Sequence, residues 1–100
     1  MNMNNKKFSE HEIEKKLVKR VNEVGGMALK FVSPGNSGVP DRLVLIAIGK
    51  IAFIEVKAPG EKPRPLQIRM INKIRKLGFK VYVLDDVMKI GVIINEIQST

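Results

Sequence analysis

The chain has 100 residues, 44% hydrophobic and 28% charged, the size and make-up of one globular domain with its own core and not of a disordered segment. It has no cysteine, which excludes a disulfide framework, a thiolate zinc site and a cysteine nucleophile, and a reducing cytoplasmic setting fits that usage. The net charge of +8 points to a polyanionic partner, most often nucleic acid, while no apolar run reaches the roughly 20 residues of a membrane span and the start, MNMNNKKFSEHE, lacks the apolar centre of a secretory signal.

Residues 1–8 are polar with a lysine pair and are expected to form a flexible arm, leaving 9–100 as a single domain. Ser9 and Glu12 have the spacing of a capping box, in which each side chain bonds the other's backbone N–H. Ile13, Leu17, Val21 and Val24, with Val18 beside them, then recur at helical spacing until Gly25-Gly26 stops the run. Glu14 flanks this buried stripe and is the acidic residue expected to reach an interior site. Glu10 occupies the same face one turn earlier. A boundary pairing of Glu14 with a nearby cation is the plainer alternative.

Met27 to Val32 reads as a first strand, followed by SPGNSGVP, a loop of residues that tolerate turns and positive φ. Leu43 to Ile48 and Ile51 to Val56 are near-continuous apolar runs, as expected of central strands covered on both faces. Their turn decides the register. A two-residue turn would put Asp41 on the face away from Glu55. A three-residue turn, Ile48-Gly49-Lys50, would pair Asp41 with Lys57 and Leu43 with Glu55, and only that register, or a bulge near Asp41, collects Asp41, Glu55 and Lys57 on one face.

Pro59, Pro63 and Pro65 forbid a continued strand, and Pro65 suits the first position of a second helix, where a missing N–H costs nothing. Leu66, Met70, Ile71, Ile74 and Leu77 form its buried stripe, and Gln67 in its first turn can face inward. Phe79 to Leu84 is a fourth strand. Asp85 or Asp86 can cap a last helix with Val87, Ile90, Ile94 and Ile97 inward. Val92 and Ile93 fall on its other faces, available to a second subunit. The order α, β, β, β, α, β plus a terminal helix predicts an α/β fold, a mixed sheet with helices on its faces.

Two carboxylates and an ammonium at the ends of oily strands are costly unless something offsets the charge, and a divalent cation would. Mg²⁺ prefers oxygen ligands, typically one or two carboxylates plus waters and substrate. Asp41 and Glu55, 14 residues apart across the hairpin, supply carboxylates and the Val56 carbonyl a third oxygen. Lys57 is suited to orienting a water and stabilising charge on phosphorus. Together these residues point to metal-dependent phosphodiester hydrolysis.

Pro40-Asp41 followed by Glu55-Val56-Lys57 resembles the PD-(D/E)XK nuclease superfamily. The likeness is closer to its VRR-NUC branch, small stand-alone phage and bacterial type, through SEHEIEKKLVKRVNEVGG, GVPDRLVL, FIEVKAPGEKPRPLQ and LGFKVYVL. That resemblance implies a restriction-endonuclease-like αβββαβ core and Mg²⁺- or Mn²⁺-dependent DNA cleavage. It implies Asp41, Glu55 and Glu14 as metal ligands, Lys57 as catalytic lysine, and Gln67 as an aid in placing substrate or water. Small members resemble Holliday-junction resolvases and act as homodimers, so branched DNA and a second copy are the implied partners. Lys62, Arg64, Arg69, Lys73, Lys15 and Lys19 are candidates to grip phosphates, with Lys76 and Arg20 beside them. A nuclease of the same chemistry for flaps, ends or duplex, and a non-catalytic DNA-binding module, are the alternatives.

Overall fold

The computed structural model describes residues 7–99. The expected arm therefore lies outside them except for Lys7 and Phe8. Phe8 is docked, half-buried against the core with the Lys16 ammonium 5.1 Å from its ring centre.

Helix α1 (Glu10–Glu23) begins as the capping box requires: the Glu12 N–H donates to Ser9 Oγ at 3.1 Å, and the Ser9 N–H to Glu12 Oε1 at 2.8 Å. Strands β1 (Met27–Lys30), β2 (Arg42–Ile46) and β3 (Lys50–Val56) form an antiparallel meander. Helix α2 (Pro65–Lys76) then crosses over, so that β4 (Lys80–Leu84) joins β3 in parallel, and α3 (Lys89–Gln98) closes the described chain. The sheet order is β1-β2-β3-β4, a mixed sheet as expected. Asp86 supports the turn into α3 by accepting the Met88 N–H through Oδ1 at 2.9 Å, although Met88 and not either aspartate is the cap residue.

The sheet's two faces are unequal. Ala28, Val44, Ile46, Ala52, Ile54, Val56 and Leu84 point toward Ile13, Leu17 and Val21 of α1 and Ile90, Ile93, Ile94 and Ile97 of α3, giving one continuous apolar core. Ile93 belongs to that core and not to a free face. Four apolar positions at 90, 93, 94 and 97 make a stripe wide enough to contact both α1 and the sheet. Val92 alone stays exposed.

The opposite face carries α2 over only part of its area. Phe53 meets Phe31 at 5.4 Å and Phe79 at 6.1 Å between ring centres, in an apolar groove shared with Met70, Ile74 and Leu77 of α2. Met27 and Leu29 of β1 remain exposed, and so does Ile51 of β3, which corrects the expectation that the β2 and β3 runs are covered on both faces. A parallel β3–β4 crossover requires only one helix, and one helix does not shade β1 and β2.

The hairpin register is odd, as one shared face requires, but slid by one pair from the expected one. Ile46 pairs with Lys50, Leu43 with Phe53 and Arg42 with Ile54, so the next position sets Asp41 opposite Glu55 and not opposite Lys57. The turn is Ala47-Ile48-Gly49, with φ of 65° at Ile48 and 71° at Gly49. Lys50 is drawn into β3 instead of the turn.

Candidate active site

The site grows from the last row of the α2-side face. Moving along the sheet, Met27, Leu45 and Ile51 form one cross-strand row, and Leu29, Leu43, Phe53 and Val81 the next. The row after that replaces oil with acid: Asp41 beside Glu55. Fully buried Pro40 precedes Asp41, whose carbonyl accepts the Phe31 N–H at 2.9 Å. Asp41 Oδ2 accepts the Val56 N–H at 2.8 Å, which ties its side chain to the end of β3 and leaves Oδ1 for a ligand.

Glu55 is 1% exposed. Its Oε2 accepts Gln67 Nε2 at 2.7 Å and lies 3.2 Å from the Lys57 ammonium. Its Oε1 is buried with no hydrogen-bond partner among the described residues, a costly arrangement for a carboxylate. Burial above all, and then the charge of Asp41, hold the Glu55 carboxyl above its ordinary pKa, with Lys57 pulling the other way.

Gln67 is itself fixed from behind, because its Oε1 accepts the Arg64 N–H at 2.8 Å. The 33–40 loop seats the head of α2. Gly38 has a φ of +83°, and a Cβ there would stand 2.9 Å from the Leu66 carbonyl oxygen, so only glycine lets the loop press onto this turn. Beyond β3, the Lys57 N–H donates to the Leu84 carbonyl at 2.9 Å, which extends the ladder far enough to hold Lys57 beside Glu55.

These groups line a polar cleft of about 530 Å³ with Glu10, Glu61, Lys62 and Arg64 at its rim. Glu14 is not among them. It is ion-paired to Arg42, Oε2 to Nε at 2.7 Å, and the same guanidinium donates to the Ala28 carbonyl at 2.9 Å. The expected inward Glu14 is therefore spent on the first two strands, and Glu10 is the α1 acid that reaches the cleft. Partial desolvation and the nearby Asp41 charge raise the Glu10 pKa, while Lys57 lowers it. Sequence spacing singled out the helix face, on which the structure sets Glu10 at the cleft and Glu14 outside it. The signal that separates the two is Arg42, next to Asp41 in the chain and long enough to claim Glu14. Glu61 had no signal in the sequence, and its place follows from the turn in which its N–H donates to the Ala58 carbonyl at 3.0 Å.

Among the described residues no three His, Cys, Asp or Glu side chains are grouped as a self-sufficient metal cage. The donor set instead matches what Mg²⁺ accepts, two carboxylates with the remaining positions left to backbone, water and substrate. The unpartnered Oε1 of Glu55 is the buried atom that such an ion would satisfy.

Of the expected phosphate contacts, Lys62 and Arg64 stand on the cleft rim, Arg69 and Lys73 are exposed on α2, and Lys15 and Lys19 line a separate groove beside α1. Residues 2–87 match the profile of the VRR-NUC domain. The chain belongs to the VRR-NUC family. It is 58% identical, over 76% of its length and 82% of the relative's, to a protein named "Putative nuclease p44" from Acyrthosiphon pisum secondary endosymbiont phage 1. A solved structure described as a VRR_NUC domain is similar throughout, with a TM-score of 0.81 and 31% identity over 88% of this chain and 97% of that one. The protein is thus a nuclease domain of VRR-NUC type on a small α/β fold, and no helix among its described residues is long and apolar enough to cross a membrane.

Proposed function

We propose that this VRR-NUC domain is a metal-dependent endonuclease hydrolysing DNA phosphodiester bonds at the row formed by Asp41, Glu55 and Lys57. One observation carries the reading: a glutamate 1% exposed, with one oxygen orphaned, faces a second carboxylate and a lysine on the same cleft. Burying such a group stabilises nothing in the fold itself, and it makes sense as a prepared ligand.

Asp41 Oδ1, Glu55 Oε1 and the Val56 carbonyl would hold Mg²⁺ or Mn²⁺. Bound there, the ion supplies charge neutralisation at the phosphate and a water of lowered pKa. Lys57 contributes a fixed ammonium at the cleft, placed to hold the attacking water or to offset charge growing on the phosphate oxygens. Gln67 restrains Glu55 Oε2, so that the other oxygen keeps its direction. Glu10 at the rim is a hydrogen-bond acceptor for water on the α1 side, and Lys62 and Arg64 are the nearest cations for flanking phosphates.

The substrate in this reading is branched DNA of four-way-junction type, cut by a homodimer in the cytoplasm of a bacterial host. Paired cuts on one branched molecule need two active rows. The sheet face bearing this row leaves Met27, Leu29 and Ile51 exposed for a second copy.

The test is cleavage of synthetic four-way junctions, flaps and linear duplex with Mg²⁺, Mn²⁺ or EDTA. Cleavage requiring the metal and falling by about 100-fold or more in Asp41→Ala and Lys57→Ala is expected. Activity that persists in EDTA, or that both variants retain, would sink the reading. A preference for flaps or ends over junctions would keep the chemistry and change the substrate.

A further inference from the structure

A second groove, about 700 Å³, runs along the outer side of α1 between that helix and the β1–β2 edge of the sheet. Its lining begins one residue past Glu10 of the cleft, at His11. Glu14, one turn past Glu10, and Arg42, next to Asp41, form its near wall. Their mutual ion pair consumes the charge at that end. Farther along, Lys15 and Lys19 of α1 face the groove from one side and Lys30 of the edge strand from the other.

None of these three lysines forms an ion pair among the described residues, whereas Glu14 is taken by Arg42 and Glu23 by Arg20. Three uncompensated ammonium groups from two elements therefore converge on one channel. Val18 and the lysine stems provide an aliphatic floor, no Phe, Tyr or Trp lines it, and its one ring is the imidazole of His11. A single imidazole offers no run of stacking faces for successive bases, whereas three ammonium groups suit a phosphate backbone. Lys15 and Lys19 lie about 6 Å apart along the helix axis, close to two nucleotide rises of about 3.4 Å on one strand of a duplex.

We propose that this groove carries the phosphate backbone of a duplex DNA arm leaving the cleavage cleft, held by Lys15, Lys19 and Lys30. The inference rests on the nuclease reading for its substrate, and it adds a direction: the DNA runs along α1, on the opposite side of the sheet from α2. Lys30 is the residue that separates the two possible tracks, because it is remote from α2 in the sheet order.

The experiment is equilibrium binding of labelled duplex and four-way junction in EDTA, where a metal-dependent enzyme does not cut, across salt from about 50 to 200 mM. The variant Lys15→Gln/Lys19→Gln/Lys30→Gln is compared with Lys50→Gln/Lys76→Gln/Lys80→Gln, which removes the same charge elsewhere, after thermal melts show both to be folded. Loss of three phosphate contacts lowers the slope of log affinity against log salt by about 2.7 in the groove variant, with a clearly smaller change in the control. Equal weakening by both variants would mean net charge alone acts, and an unchanged slope in the groove variant would mean its lysines merely guard the sheet edge; either result overturns the proposal. The two readings fail separately. Groove-dependent binding by a protein that cuts nothing retires the nuclease chemistry and keeps the track, while metal-dependent cutting with an indifferent groove does the reverse.

Discussion

Glu55 shows at the scale of one residue how function and stability oppose each other here. In the fold alone, its carboxylate loses water and gains one amide, one ammonium and an orphaned oxygen. Glu55→Gln keeps the shape and removes the charge that burial penalises. It is therefore expected to melt no lower than the parent in EDTA, and up to a few degrees higher, while losing cleavage by about 100-fold or more. Thermal melts with and without Mn²⁺ check both halves: the metal should raise the parent's midpoint, by binding the folded state only, and leave the variant's unmoved. A variant that melts far lower in EDTA would instead make Glu55 a structural residue.

Tyr82 offers a second residue-scale test, distant from the cleft. Desolvation first, and then its hydrogen bond to Glu96 at 3.1 Å with that carboxylate's charge, push its hydroxyl up to about 12 from 10.0. A raised folded value favours the protonated form, so the contribution to stability is whole below pH about 10 and is lost as pH climbs through about 12. It is the chain's one tyrosine, and there is no tryptophan, so tyrosinate absorbance reports it without overlap. The expected titration is late, and Glu96→Gln should bring it earlier. A midpoint near the ordinary value would show that the Tyr82–Glu96 contact does not persist in solution.

Among the elements, the β2–β3 hairpin sets the register on which the site depends, and its turn is built from an unsuitable residue. Ile48 sits at φ 65° and is 92% exposed, so a β-branched side chain occupies a left-handed conformation and buries almost nothing in return. Ile48→Asn creates Asn-Gly, a pair suited to two successive positive φ values. A gain of about 1 kcal/mol, or about 4–8 °C in melting midpoint, is expected with cleavage unchanged. A lower midpoint would mean the turn is differently formed.

That turn also marks the boundary of what the residues alone reveal. Capping at Ser9 and Glu12, the Pro65 helix start and the inward Gln67 were all legible, because each depends on local backbone chemistry within one turn. The parity that unites Asp41 and Glu55 was legible as a condition. The exact pairing was not, since the positive φ at Ile48 has no trace in an isoleucine. The position of Glu14 outside the cleft was hidden for a related reason. Helix periodicity specifies a face, but only the placement of Arg42 across β1 and β2 specifies which acid on that face is free.

At the scale of the whole molecule, Met27, Leu29 and Ile51 lie exposed on the sheet face that carries the acid row. The runs Leu43 to Ile48 and Ile51 to Val56 predict central strands covered on both faces, yet α2 lies over the β4 side and leaves Ile51 exposed. Unbroken apolar runs describe what strands bury in the working assembly and do not say which chain supplies the cover. A second copy is the occupant that matches the proposed paired cutting. A two-fold axis lying in the plane of this face and parallel to its strands would set the same rows against each other and bring both acid rows to one side of the assembly. The variant Leu29→Lys/Ile51→Lys should then sediment as a monomer where the parent is a dimer. It should melt little lower than the parent at high dilution, since both side chains are exposed within one chain. It should also nick one strand of a junction without the coupled second cut. A parent that sediments as a monomer at assay concentrations, or a variant that still dimerises, would move the interface elsewhere and leave this face to another partner.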